Sequence, residues 1–393
     1  MTCSRRTFLR LGAAGLVVGY PSSSAAVAAP VWIGPQDVDE FAVLGDEIVT
    51  VGSNLRALDA VTGRERRSAR LRKPSNAEGP ASLAAAASAL VFGWYLWYED
   101  VHIVCADPRS LQVRWQRRIK IAEREREGLP YVVPLVRPDG VFVLVSHKQS
   151  ENLFRLRLET GETVWSRHVE RFAVQAALAW HSTHLLVRSR VTRGAQASGD
   201  LHAIDPASGA TSWRLRLEGR ESAGRDTMLI ADDRAYIASP IYPGESSRLH
   251  IVDLAAGAIV KTLTIDRLSE PFAWHDGVVY FGGNTPTAWE LAADRAIWRT
   301  DLRERQGVLL QISSDAVLDT ARGRIYLGES RDSFFVLSST DGAVLSTVNV
   351  RGGYTNPTRL MGGYGAYRLR LMRDLLLVGA GDHRLLAYAT ASL

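Results

Sequence analysis

The sequence predicts an all-β fold, an eight-bladed β-propeller of four-stranded antiparallel blades, and three observations lead there. One hairpin pattern recurs through the chain; its period of roughly 40–50 residues is that of a four-stranded propeller blade; and the last copy stops one strand short while a short apolar segment precedes the first. The clearest copy is Leu201-His202-Ala203-Ile204-Asp205-Pro206-Ala207-Ser208-Gly209-Ala210-Thr211-Ser212-Trp213. It reads as an alternating strand, a tight turn and a second strand. The Asp carboxylate can accept backbone N–H groups two residues on, Gly tolerates positive φ, and alternation buries one face of each strand.

Asp59 with Gly63 and Asp253 with Gly257 repeat the spacing of Asp205 with Gly209. Looser copies run from Ile103 to Trp115, Phe154 to Trp165 with Gly161, Trp289 to Trp298, and Phe334 to Asp341-Gly342, and Leu385-Leu386-Ala387-Tyr388 ends the series. The second-strand tryptophans are Trp115, Trp165, Trp213 and Trp298, with Lys261 at a skipped position. With strands named A to D, the B and C pairs fall near 47–59, 89–107, 140–158, 183–205, 233–253, 277–291, 323–338 and 374–389, which makes eight blades. The first A strand lies near Phe41 to Leu44, and Val31-Trp32-Ile33 is expected to supply the missing outer strand of blade 8. Such closure leaves the ring no open edge between first and last blades.

Ala-x-Asp-x-x-x-Gly-x-x-x-Trp units, best seen from Ala203 to Trp213, resemble the PQQ-type repeat of eight-bladed quinoprotein-like and BamB-like propellers. The resemblance covers essentially the whole chain after its first residues. It implies a fold in which the repeated Asp, Gly and Trp pack blades, and it leaves function open, since the superfamily holds both quinone-dependent alcohol dehydrogenases and non-enzymatic scaffolds. Those dehydrogenases typically place a vicinal cysteine disulfide over the cofactor, with a tryptophan floor and a carboxylate-ligated calcium. This chain has two cysteines, Cys3 and Cys105, that are not adjacent, and no residue is carried over as a quinone or calcium ligand. No cofactor is therefore expected, PQQ with calcium being the alternative.

The first residues read as an address. Ser4-Arg5-Arg6-Thr7-Phe8-Leu9-Arg10, the apolar Leu11 to Val18 and the small Ala25 to Ala29 have the layout of a secretory signal and resemble a twin-arginine export signal. The expected division is a signal at 1–28 and a single propeller domain at 29–393, exported to the periplasm or the outside of the cell. The apolar run is too short to span a membrane, and no other segment approaches that length. Loss of Arg5, Arg6 and Arg10 lowers the formal charge from +5 to +2, which does not indicate nucleic-acid binding. Cys105 alone would remain, so no internal disulfide is expected.

Antiparallel blades put A–B and C–D turns at one end of the ring and B–C and D–A connections at the other. The first set is short, as at Gly45-Asp46, Asp232-Asp233 and Asp276-Gly277. The second includes long stretches at 120–131, 191–199, 240–247 and 351–366, and length beyond what closure needs points to binding there. The candidate ligand- or partner-binding residues are Trp94, Tyr95, Trp97 and Tyr98 at a B–C connection, whose rings suit a sugar, a peptide or an apolar partner, and Tyr354, Asn356, Arg359 and Tyr364 in a glycine-rich loop. The competing reading of the first group is packing between blades; of the second, a spacer.

Arg64 to Lys73 places several arginines on an outer strand, read either as a surface for acidic polymer or lipid head groups or as a solvated edge. His181 and His184 straddle an A–B turn, and His102, His147, His202, His250 and His383 are dispersed over blades, so no metal site is assigned. Catalytic residues are not assigned either, because H-E-x-x-H, G-x-S-x-G and P-loop patterns are absent. The leading expectation is a monomeric, non-catalytic binding or scaffold protein of the cell envelope that holds a protein or glycan. The alternative is an exported enzyme, either a quinone-linked oxidoreductase or a glycan-active lyase or hydrolase.

Overall fold

In the computed structural model, strand alternation is converted into eight sheets of four antiparallel strands each, among the described residues. The structure describes residues 28–393 apart from 73, 75–76, 97–99, 121–130, 148–149, 172–176, 192–197, 218–227, 240–245, 267–270, 303–311, 330–332, 351–367 and 381–382. The export signal expected at 1–28 falls outside these residues, save Ala28. Seven blades are continuous in sequence, at 40–70, 77–119, 131–171, 177–217, 229–266, 271–299 and 312–349. Blade 8 is composite: Arg368–Met372, Leu375–Gly379 and Leu385–Ala389 form strands A to C, and Trp32–Ile33 lies antiparallel to the last of them as strand D. Trp32 sits opposite Ala387 and Ile33 opposite Leu386, so the expected closure of the ring by the N-terminal segment is what the chain does.

Because side chains alternate across each sheet, every blade feeds two cores. In blade 2, Leu90, Phe92 and Trp94 pack toward blade 1, while Ala89, Val91, Ile103 and Cys105 pack toward blade 3. The buried apolar residues accordingly fall into eight clusters, one per seam between neighbouring blades; the seam joining blade 8 to blade 1 contains Trp32, Phe41, Ile48, Leu58, Leu377 and Leu385. The core is thus a ring of wedges, and each blade is held only by its neighbours.

The recurring hairpin has a specific task at these seams. Asp205 Oδ1 accepts the Ser208 amide at 2.7 Å, and the Gly209 amide closes the turn onto the Asp205 carbonyl at 2.8 Å. Asp59 and Asp107 do the same with two amides each. These amides hold the Asp59 carboxyl at about 2, and they lower Asp107 and Asp205 as well. The turn glycine has positive φ at positions 63, 161, 209, 257 and 342, between 62° and 74°. A Cβ there would lie 2.4–2.9 Å from a tryptophan of the preceding blade: Trp32 for Gly63, Trp115 for Gly161, Trp165 for Gly209, Trp213 for Gly257 and Trp298 for Gly342. Each indole lies on the next blade's turn, and only glycine leaves it room.

Four of these indoles also donate Nε1–H into the turn, to a carbonyl three residues before the glycine: Trp32 to Ala60 (3.2 Å), Trp115 to Leu158 (2.8 Å), Trp165 to Pro206 (3.0 Å) and Trp298 to Ser339 (2.8 Å). The residue two beyond the tryptophan adds a rung to the glycine carbonyl, from Arg117, Arg167 and Thr300 to Gly161, Gly209 and Gly342. Trp32 is therefore the eighth blade's copy of the repeat tryptophan, displaced to the start of the chain. Where the tryptophan is missing, its partner changes too. Arg67 faces a turn with Leu111, Lys261 reaches Asp294 at 3.3 Å, and Ser346 donates to the Leu393 carbonyl at 3.3 Å.

Candidate functional site

The two ends of the ring differ in what their connections are used for. Most A–B connections are two-residue turns, such as those from Leu44 to Glu47, His181 to His184, Ala231 to Arg234 and Met372 to Leu375. Together with the C–D turns they carry the indole clamps and polar ties between blades. His181 Nε2 contacts Asp233 Oδ1 at 2.9 Å, Arg322 Nη2 donates to Asp374 at 2.6 Å, and Arg155 Nη1 reaches the Pro206 carbonyl at 3.0 Å. The positively charged Arg137 guanidinium lies 4.4 Å from the Trp180 ring centre on the same side of the sheets. These polar and aromatic groups join blade to blade.

The opposite end carries the B–C and D–A connections, of which the longest joins Asn349 to Arg368. Ion pairs with buried acids mark its rim. Asp100, 2% exposed, accepts Arg118 Nε at 2.7 Å, and Asp200, 1% exposed, is paired with Arg214. At the junction of blades 8 and 1, Glu40 pairs with Arg368, and Asp39 Oδ1 meets His383 Nδ1 at 2.8 Å. The segment from Gly34 to Asp39 crosses this end from the outer strand of blade 8 to the inner strand of blade 1. It is tied down by Ser53 N–H to Asp37 (2.8 Å) and Arg56 to the Gln36 carbonyl (3.2 Å). A carboxylate kept dry is costly unless it is paired, so these pairs fix the roots of the connections in one geometry.

Of the eight candidate residues, Trp94 is placed in full. It closes the B strand Ala89–Leu96 opposite His102 and is 1% exposed. Its ring stands edge-on to Phe92, 5.8 Å between centres, within the core between blades 1 and 2. Tyr95 shares that strand, whereas Trp97, Tyr98, Tyr354, Asn356, Arg359 and Tyr364 lie outside the described residues, as do the bodies of the four long connections. Among the described residues the histidines do not form a metal-binding group. His102 faces Gln116 (3.3 Å), His202 faces Ser189 (3.3 Å) and His250 faces Thr262 (3.1 Å), each within its own blade. Burial pushes the His202 imidazole down to about 4.

The arginine-rich outer strand Glu65–Arg70 is largely paired: Arg67 holds Glu47 through two bonds of 2.8 and 2.6 Å, and Arg66 pairs with Asp59. Among the described residues no group of three or more His, Cys, Asp or Glu converges as a metal ion would need, and Cys105 is buried with its thiol pushed up to about 11 by desolvation.

Eight closed blades, with indole-on-glycine clamps at five seams, define a PQQ-like propeller. The sequence model described as outer membrane protein assembly factor BamB matches residues 149–392, more than half of the chain, and the chain belongs to that family. The fold is similar to that of BamB from Moraxella catarrhalis, with a TM-score of 0.62 at 17% identity over 92% of this chain and 100% of that one. It is also similar to a europium-containing methanol dehydrogenase, with a TM-score of 0.66 at 10% identity over 92% and 93% of the two chains. The quinohemoprotein alcohol dehydrogenase of Comamonas testosteroni gives 0.62 at 10% identity, covering 92% of this chain and 76% of that one. No curated protein matches the sequence. At these identities the structural likeness carries the fold alone.

Proposed function

We propose that the protein is an exported, monomeric, non-catalytic scaffold of the cell envelope that holds a protein or glycan on the B–C/D–A end of the propeller. The observation that carries the choice of surface is the unequal use of the two ends: one is occupied by blade-to-blade clamps, so the other is the end free to vary in length and chemistry. Membership of a family described as an outer membrane assembly factor supports a binding role over catalysis. Among the described residues no helix is long and apolar enough to cross a membrane. Rigid ion pairs at the roots of the connections suit a surface that presents its loops in one arrangement.

A photo-crosslinking residue tests this reading. It is placed at Lys120 or Asp301, exposed on D–A connections, and for comparison at Asp46 or Asp276, exposed on A–B turns. Discrete crosslinked products from the first pair and none from the second are expected in living cells. Equal labelling of both ends overturns the choice of surface. Tight stoichiometric binding of PQQ with calcium, measured by calorimetry, overturns the non-catalytic assignment.

A further inference from the structure

The seam between blades 1 and 2 is built differently from its neighbours. Arg67 occupies the tryptophan position of blade 1 and Leu111, at φ 60°, the glycine position of blade 2. Arg67 holds Glu47 through two bonds and also reaches the Pro108 carbonyl at 3.5 Å, three residues before Leu111, where an indole N–H donates at other seams. Beside it a cleft of about 240 Å³ opens, floored by Ala69, Leu71, Trp94, Val104 and Leu111 and rimmed by Arg70, Arg72, Gln112 and Gln116. A wider opening of about 930 Å³ adjoins it, bordered by Ser53 and Asn54 and sharing Arg70, Leu71 and Arg72.

The chemistry of the cleft selects its occupant. Leu71 is buried, but Arg70 and Arg72 on either side of it are exposed, and among the described residues neither is paired with an acid. By contrast Arg56, Arg66 and Arg67 of the same blade each hold a carboxylate. Two uncompensated guanidiniums flanking an aliphatic floor call for a ligand with carboxylates beside an apolar side chain. Trp94 is too buried to offer a ring face, which disfavours a sugar stacked on it. The outer strand Glu65–Arg70 is the edge of its sheet, so it can hydrogen-bond an extended backbone, and alternation in such a backbone separates acidic from aliphatic side chains.

We propose that the cleft between blades 1 and 2 is a docking site for an extended acidic peptide of a partner protein. One aliphatic side chain enters the cleft and neighbouring carboxylates meet Arg70 and Arg72. The cleft opens through Ser53, Asn54 and Arg70 to Arg72 at the outer rim of the B–C/D–A end, so the proposal adds a partner chemistry to that surface, while crosslinking at Lys120 and Asp301 tests the surface itself without reference to the cleft. The test is fluorescence anisotropy with a short labelled peptide of alternating leucine and aspartate, and with its leucine–lysine counterpart. Wild-type protein binds the acidic peptide and not the basic one. Arg70→Glu with Arg72→Glu weakens binding by at least about tenfold. No binding by wild type, equal affinity for the basic peptide, or affinity unchanged by the arginine substitutions overturns the proposal. So does binding to phosphatidylglycerol vesicles without binding to the peptide.

Discussion

Replacing Gly161 by alanine tests the clamp against a built-in control, Gly45→Ala. Both glycines sit at similar positive φ, 71° and 63°, so alanine meets the same backbone penalty at each, about 1 kcal/mol. At Gly45 the new methyl meets nothing within 4 Å, whereas at Gly161 it would lie 2.7 Å from Trp115 Cδ2 and Cε3. Trp115 cannot swing away cheaply: it is 8% exposed and its indole N–H is bound to Leu158 O at 2.8 Å. Displacing it adds an overpacking cost of about 1–3 kcal/mol and a lost hydrogen bond of about 1 kcal/mol. Gly161→Ala should therefore destabilise by about 3–5 kcal/mol and Gly45→Ala by about 1 kcal/mol, read from urea denaturation. In a Trp115→Ala background the two glycine substitutions should cost nearly the same, a coupling of about 2–4 kcal/mol. Equal costs in the wild-type background would refute the clamp.

Other expectations follow from the same geometry. Exchanging the charges at the clamp-free seam, Lys261→Asp with Asp294→Lys, should leave the melting temperature nearly unchanged while Asp294→Lys alone lowers it, because Lys261 and Asp294 stand 3.3 Å apart in place of an indole and a glycine. His202 is held near 4 by burial, below its ordinary value of 6.5. The unfolded chain binds the extra proton first as the medium is acidified, so this histidine removes stability as pH falls from about 6.5 toward 4, on the order of 3 kcal/mol in full. His202→Gln should flatten the acid limb of a stability-against-pH curve in that window. Cys105, fully buried with its thiol raised to about 11, should react with thiol reagents only after denaturation, as followed by mass spectrometry.

The hairpin repeat was legible because turn chemistry is local: Asp205 and Gly209 announce their geometry within five residues, and the eight B–C strand pairs fall where the alternation puts them. What a tryptophan meets is not local. Gly63 and Trp32 are both visible in the sequence, yet their contact joins the first strand of the chain to the C–D turn of blade 1 only after the ring has closed. Compensation carries a signal that could have found it: each blade with Trp is followed by a blade with Gly, while Arg67 precedes Leu111 and Lys261 precedes Asp294. Trp94 illustrates the limit for sites. An aromatic at the end of a B strand can face solvent or a seam, and only the strand's register, which pairs it with His102 and turns it toward blade 1, decides between them. The cleft beside it is invisible in sequence because residues from two blades form it.

Removing residues 31–33 from the chain tests ring closure most directly, with thermal melting and hydrogen exchange as the readouts. Trp32 contributes a buried ring, a bond to Ala60 O and the clamp over Gly63, so its loss alone should cost about 3–5 kcal/mol. The melting temperature should then fall by roughly 4–7 °C, and the amides of Leu385–Ala389 should exchange faster as that strand becomes an edge. Unchanged melting together with unchanged protection of Leu385–Ala389 would contradict closure by the N-terminal strand.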